Sequence, residues 1–389
     1  MQLAGATLPG TSTTYSQPAS DIQGKLPVRK EDAKLPFISP SQRRGLFVYF
    51  NDFDTHNGKL NFEKLLEHTS TVGFNILLPD AINSRGYANY RNGIVAQSAR
   101  VFDRWKKSSD PMQKLIEEAR QHNMQVWPWV QLFVGNKVLY QQHADWFATS
   151  SYGYRSEKYL DFLNPAVRRY QLGVLRDIAK RYDIGGINID MEIQVRYASY
   201  SSLDKKMFME DNGIKSISWP MDVRPYGRYN EMWLKWTNNK LAEFFAQTHK
   251  VLKAQRRGLV VSYDVTSNPD DDGYYDRWDA WARKGGVDAV DPMIYWRDSH
   301  YSVGLVSVLT RRNVDVASSR GADVQVTSIV GGSMNATSGM HGNEWADGID
   351  NALAGRSDGV FVFAYICVER DHAWSSIESA FRKHDSPKQ

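Results

Sequence analysis

Short apolar runs, rich in β-branched and aromatic residues, recur along the chain from Arg44 onward. Between them lie longer stretches in which apolar positions return every three or four residues. The two patterns belong to different elements: a helix repeats about every 3.6 residues, whereas a run apolar at every position suits a strand buried on both faces. The pattern predicts strands over 45–50, 75–79, 125–130, 186–190, 259–264, 289–295, 324–329 and 360–366. Helices are predicted over 111–122, 165–182, 229–255, 275–284, 343–353 and 373–384. Asn164 before Pro165 supplies an N-cap followed by proline at the first helical position. Strand and helix units, eight over about 340 residues, predict an α/β protein of the (β/α)8 TIM barrel class. An open doubly wound sheet is the runner-up, but no G-x-G-x-x-G follows the first strand. The longest connection, 194–228, follows strand four and carries Trp219, Pro220 and several Tyr and Met; it is predicted as an insertion walling a cleft.

Ahead of this pattern, residues 1–40 are rich in Pro, Ser, Thr, Gly and charge and have no sustained period, so a tether is expected there and one barrel over 41–389. A hydrophobic fraction of 42% supports a sizeable core and excludes wholesale disorder and a coiled coil. The net charge of +4 is scattered, which argues against a nucleic-acid partner. Cys367, the single cysteine, closes no intrachain disulfide and builds no cysteine metal site. No apolar run approaches the roughly 20 residues of a membrane span, and a monomer is expected. The opening QLAGA resembles the end of a lipoprotein export signal, were Ala6 a cysteine. A secreted or envelope location is therefore expected, although the N-terminus lacks the charged and apolar blocks of a signal peptide.

In such barrels the strand C-termini and the loops after them carry the chemistry. Polar candidates at those ends are Asn51, Asp80, Asp190, Glu192, Asp264 and Glu369, joined by the aromatics Tyr49, Trp127, Trp129, Tyr295 and Trp296. Carboxylates among flat aromatic faces suit sugars, whose C–H faces stack on rings while their hydroxyls need polar partners. A glycan cleft is the expectation. The sharpest local signal is G-I-N-I-D-M-E over 186–192: alternation turns Asn188, Asp190 and Glu192 to one face and Ile187, Ile189 and Met191 to the other. Two neighbouring carboxylates do not both ionise cheaply, so one can hold a proton near neutral pH. The competing explanation is a solvated acidic strand end paired with a cation such as Arg196. Asp270, Asp271 and Asp272 lack EF-hand spacing, and His143 and His372 stand too far apart in sequence to make a metal site, so neither metal nor cofactor is expected. Ser333 and Ser262 lack a G-x-S-x-G context, which disfavours a serine hydrolase.

The stretch G-I-N-I-D-M-E resembles the D-G-x-D-x-D-x-E signature of family 18 glycoside hydrolases, the chitinase-like barrels, and Met293-Ile294-Tyr295 resembles their M-x-Y motif. The chain departs from that pattern where it has Gly185, Asn188, Met191 and Trp296. Over a longer span it is similar to the bacterial glycosyl-hydrolase-like family 10 proteins, several of which are envelope proteins acting on peptidoglycan-type glycans. That likeness runs from R-G-L-F-V at Arg44 through H-A-D-W-F at His143 and L-N-P-A-V-R-R-Y at Leu163 to D-P-M-I-Y-W at Asp291. That family commonly reads F-D-D or F-D-Y on strand four, so Asp190 alone is common to both patterns.

The resemblance implies a glycoside hydrolase acting on a polysaccharide, one containing N-acetylated amino sugars, with Glu192 as proton donor and Asp190 as stabiliser or nucleophile. A 2-acetamido carbonyl could itself be the nucleophile, with Asp190 orienting the amide and Tyr295 bonding its oxygen. Otherwise a second carboxylate is required, Asp264 first and Glu369 second. Asn51, Asp80, Trp127, Trp129, Asn188, Trp296 and Glu369 are the expected substrate contacts. The rival reading is a catalytically silent carbohydrate-binding barrel.

Overall fold

The computed structural model describes residues 35–51, 55–56, 59–60, 62–105, 109–191, 198–269, 278–319, 324–331 and 339–385. The expected tether lies outside them as far as Lys34. Eight parallel strands close into a barrel: β1 (Arg43–Val48), β2 (Ile76–Ile82), β3 (Trp129–Leu132), β4 (Gly186–Met191), β5 (Val260–Thr266), β6 (Ala289–Ile294), β7 (Gln325–Gly331) and β8 (Gly359–Phe363). Each pairs with the next, and β8 returns to β1. Closure removes every sheet edge. A helix of the outer layer follows each strand, with shorter helices in some of the loops: α1 (Glu63–Val72), α2 (Pro111–Gln121), α3 (Pro165–Arg181), α4 (Asn230–Gln255), α5 (Trp278–Arg283), α6 (Leu305–Ser319), α7 (Glu344–Ala354) and α8 (Trp374–Asp385). The fold is a (β/α)8 TIM barrel.

Local sequence explains the helix starts. Asn164 accepts from Ala166 N ahead of Pro165, and Asp110 caps α2 in the same way through Met112 N. Alternation along the strands divides the apolar residues into two cores. Outward residues such as Leu46, Val48, Ile187, Ile189, Val261, Val265 and Val330 pack beneath the helices. Inward residues form a second cluster within the barrel: Phe47, Ile76, Leu78, Trp127, Trp129, Ile329 and Phe361. Trp127 closes the floor. Its Nε1 donates to Gln125 Oε1 (2.7 Å), the Arg43 guanidinium lies 5.1 Å from its ring centre, and its face rests on Gly186.

Several strand bounds shift by one or two residues, and three differences bear on the site. Strand two runs on to Ile82 and includes Asp80, and the third strand reaches Leu132, which brings Gln131 into the barrel. Strand eight ends at Phe363, and Tyr365–Arg370 is helical although its apolar start continues the strand's run. The expected insertion contains the helix Ser202–Asp211, opened by a capping box in which Ser201 and Asp204 satisfy each other's backbone N–H. Trp233 and Trp236 stack inside the outer core, ring centres 5.2 Å apart, and are not a sugar platform.

Gly186 is a backbone requirement of the floor, since a β-carbon there would lie 2.5 Å from Trp127 Cδ2. Gly186→Ala is expected to destabilise the protein by about 1–3 kcal/mol, the usual cost of overpacking a filled core. Urea denaturation reads this as a lowered midpoint at constant slope; an unchanged midpoint would mean that Trp127 does not fill the floor.

Candidate functional site

Inward positions on four consecutive strands carry polar side chains in register. Gln131 on β3 is the Cα partner of Asp190 on β4, Asp190 of Asp264 on β5, and Asp264 of Asp291 on β6. Adjacent strands lie about 4.8 Å apart, so this row crowds three carboxyl groups together. Barrel strands tilt, so a row across them climbs relative to the barrel axis. Asp190 is accordingly half-exposed, Asp264 is 7% exposed and Asp291 is fully buried.

Asn188, one inward position below Asp190, ties the row together. Its Nδ2 donates to Asp264 Oδ1 at 2.7 Å and to Asp291 Oδ2 at 3.0 Å, with Ser262 Oγ at 3.3 Å. Burial raises the Asp264 carboxyl well above its ordinary range, and the charges of Asp190 and Asp291 push it further. Burial likewise pushes Asp291 up to about 7, opposed by bonds from Ser262, Asn188 and Thr327 and by the positive charge of Arg43. A carboxyl in so dry a place is stable as the acid, because removing an ion from water costs more than a neutral partner returns. Tyr295 faces the same group. Burial raises its hydroxyl well above the usual tyrosine value, and the charges of Asp264 and Asp190 add to the effect.

The other half of the mouth is aromatic. Trp129 meets Phe47, Tyr49 and Phe363 edge to face, with ring centres 5.2, 5.3 and 5.9 Å away, and Tyr295 lies 5.5 Å from Phe363. Tyr49, Tyr295 and Phe363 are half-exposed. Trp129 Nε1, Gln131 Oε1 and Asn188 Oδ1 are buried without a hydrogen-bond partner among the described residues. Carboxyls and amides on one side and flat rings on the other are the two surfaces a pyranose presents in reverse, hydroxyls at its edge and C–H groups on its faces.

The structure brings Asp190, Asp264, Tyr295, Asn188 and Trp129 together and places Asn51 at the end of β1, its carbonyl accepting from Arg104 Nη1 at 3.0 Å. Glu192 lies outside the described residues. Four expected substrate contacts are corrected. Trp127 is the barrel floor. Trp296 points outward, 4% exposed, with its ring against Gly348 on α7, because it alternates with the inward Tyr295. Asp80 is fully buried and its Oδ1 accepts from Phe50 N at 2.7 Å, bracing the end of β1. Glu369 accepts from Trp374 Nε1 at 2.8 Å and pairs with Lys64 and His68, linking α1 to α8 outside the mouth, which removes it as a second catalytic acid. Asp291, Gln131 and Arg43 were not singled out from sequence as site residues, although Asp291, Met293 and Tyr295 share one strand face. Among the described residues no group of three or more His, Cys, Asp or Glu is arranged to hold a metal ion.

The family model of glycosyl hydrolase-like 10 matches residues 46–327. The chain belongs to the glycosyl hydrolase-like 10 family. No curated protein sequence matches it. Among solved structures it is similar to the PgaB (BpsB) glycoside hydrolase domain from Bordetella bronchiseptica, with 12% identity and a TM-score of 0.67 over 89% of this chain and 99% of that one. It is also similar to Gan42B, a GH42 β-galactosidase from G. stearothermophilus, with 10% identity and a TM-score of 0.64 over 90% of this chain and 58% of that one. A β-galactosidase from the haloarchaeon Halorubrum lacusprofundi matches with 10% identity and a TM-score of 0.62, over 89% and 58% respectively. The glycosyl hydrolase-like 10 barrel therefore spans nearly all of the first protein and little more than half of the other two. At these identities the likeness is one of fold. Among the described residues no helix is long and apolar enough to cross a membrane.

The raised Asp291 carboxyl has a consequence for stability. Between its ordinary value of 3.8 and about 7 the folded protein holds a proton that the unfolded chain releases. The contribution is therefore present below the lower value and is lost as pH rises through the upper one. Asp291→Asn keeps the shape and cannot ionise, so its stability should fall less than that of the wild type between about pH 4 and pH 8. Urea midpoints across that window check this, and parallel curves for the two proteins would count against a protonated Asp291.

Proposed function

We propose that this glycosyl hydrolase-like 10 protein is a glycoside hydrolase acting on a polysaccharide that contains N-acetylated amino sugars. The observation that carries this reading is the carboxyl row of Asp190, Asp264 and Asp291 beside Tyr295, facing an aromatic wall at the mouth of the barrel. Burial favours the proton on Asp264 and raises Asp291 to about 7, so the negative charge of the row is assigned to the half-exposed Asp190. An anion there stabilises positive charge developing at the anomeric carbon or on a cyclised acetamido group. Asp264, as the acid, offers an O–H in place of a second charge. Tyr295, kept as the phenol, donates to the acetamido oxygen. Glu192, two positions beyond Asp190, delivers the proton to the leaving oxygen, and further sugar contacts are assigned to Trp129 Nε1, Gln131 Oε1 and Asn51 Oδ1, polar atoms without a hydrogen-bond partner among the described residues.

The parts separate by leaving group. A polysaccharide alkoxide needs a proton as it departs, whereas an activated aryl alkoxide needs little help. Glu192→Gln is expected to reduce cleavage of amino-sugar polymers by about 100-fold or more while aryl glycosides of the same sugar lose far less. Asp190→Asn should depress both substrates alike, since its charge is needed whatever leaves. Products are read by mass spectrometry from amino-sugar polymers and peptide-free peptidoglycan, with a polymer lacking acetamido groups as the control. Equal losses on both substrates for Glu192→Gln would move the proton donor to Asp264. Cleavage of the acetamido-free polymer at the best rate would remove the acetamido nucleophile.

A further inference from the structure

The loops after β3 and β4, which carry Gln131 and Asp190, build one continuous wall. A hairpin of Phe147–Thr149 and Arg155–Leu160 grows from the end of β3, where Gly135 N donates to Lys158 O (2.7 Å) and Leu160 N to Phe133 O (2.8 Å). The insertion after β4 fastens onto this hairpin. Tyr200 N donates to Thr149 O at 2.8 Å, Thr149 N to Ser199 Oγ at 3.1 Å, and Trp219 Nε1 to Tyr200 O at 2.9 Å.

The wall holds its aromatic rings out into water. At the hairpin tip Ser150 Oγ accepts from Tyr152 N and Tyr154 N, and both side chains reach into solvent, 73% and 77% exposed. Across from them Arg224 of the insertion donates to Tyr152 Oη at 3.1 Å, and its guanidinium carbon lies 4.8 Å from the centre of that ring. Two residues on, Tyr226 sits in a left-handed backbone conformation, φ 68°, and is fully exposed. That conformation is unfavourable for a residue with a β-carbon. Here it is fixed by Gly227 N to Arg224 O (2.8 Å) and Tyr229 N to Asp222 O (2.8 Å), and the next residue must be glycine because a β-carbon on it would lie 2.4 Å from Asp222 O.

Scattered exposed apolar residues need no explanation. Tyr152 and Arg224 are different, because they bridge two loops, and the loop that supplies Arg224 keeps Tyr226 outside at a backbone cost. The rings are tyrosines, flat and hydroxyl-tipped, which suits stacking on sugar C–H faces with hydrogen bonds at the edge. We infer that Tyr152, Tyr154 and Tyr226, braced by Arg224, form a platform for outlying sugar units of the polysaccharide whose reacting unit lies in the barrel mouth, an inference that rests on the glycan-hydrolase reading above. The platform makes affinity depend on chain length. A chain long enough to span from the mouth to these rings gains the contact, and a short oligosaccharide confined to the mouth does not.

The test combines Tyr152→Ala, Tyr154→Ala and Tyr226→Ala in one full-length protein; all three side chains face solvent, so its thermal midpoint should match the wild type. Native gels cast with partially N-acetylated chitosan report binding without turnover, and hydrolysis of the same polymer is compared with hydrolysis of an N-acetylglucosamine trisaccharide. The triple variant is expected to lose about tenfold in gel retardation and to raise KM for the polymer by a similar factor, with kcat and trisaccharide cleavage unchanged. Retardation and polymer KM equal to wild type overturn the platform and leave the hydrolase reading intact. An equal loss on polymer and trisaccharide also overturns it, by placing the tyrosines at the mouth itself. Retardation of the wild type, lost in the variant, with no turnover of any glycan supports the platform and sinks the hydrolase reading. A wild type that is neither retarded nor active overturns both.

Discussion

One amide stands between two carboxyls. Asn188 Nδ2 donates to Asp264 and Asp291 together, at 2.7 and 3.0 Å, inside a barrel where neither acid is more than 7% exposed. Both acids ionised there would repel each other with little water to weaken the repulsion, at a cost of several kcal/mol per ion. Burial accordingly raises both carboxyls above their ordinary range. Arg43, buried at the barrel floor over Trp127, adds a positive charge that favours ionised Asp291, while its own guanidinium is pulled down by burial. The interior is thus graded: a cation at the floor, a carboxyl near 7 above it, and a half-exposed aspartate at the mouth.

That gradient depends on the division of the barrel wall into unlike halves. Strands β1, β3 and β8 contribute Phe47, Tyr49, Trp129, Phe361 and Phe363, whose mutual edge-to-face contacts fill one side without a charged group. Strands β4, β5 and β6 contribute the carboxyl row and its amide. The raised carboxyl of Asp264 is a product of burial in this packed interior, with the charges of Asp190 and Asp291 adding to it.

The fold was legible because its strands are apolar at nearly every position and its helices are not, and that contrast survives without tertiary knowledge. Asp190 was legible too, since alternation in a buried strand leaves a polar residue few reasons to be there. The same alternation, carried across strand six, separates inward Asp291 and Tyr295 from outward Trp296, which is why Asp291 belongs with the site and Trp296 does not. Gln131 lay one residue past the predicted end of its strand. Glu369 was misplaced because the apolar Tyr365-Ile366 continues the strand's run while the backbone has already turned into a helix. Depth is what sequence lacks: Trp127 and Trp129 are both inward and two residues apart, yet one is floor and the other rims the cleft.

Asn188 occupies the position at which the chitinase-like signature has an aspartate, and the geometry gives that difference a meaning. An aspartate there would be a fourth carboxyl in contact with Asp264, Asp291 and Ser262, and even protonated it would offer a single O–H donor, to one neighbour at a time. Asparagine supplies the two N–H donors outright and contributes no charge. The relay of protons that a carboxyl could perform at this depth is thereby replaced by a fixed hydrogen bond. In this barrel the hold on Asp264 is structural, through the hydrogen bond from Asn188 Nδ2.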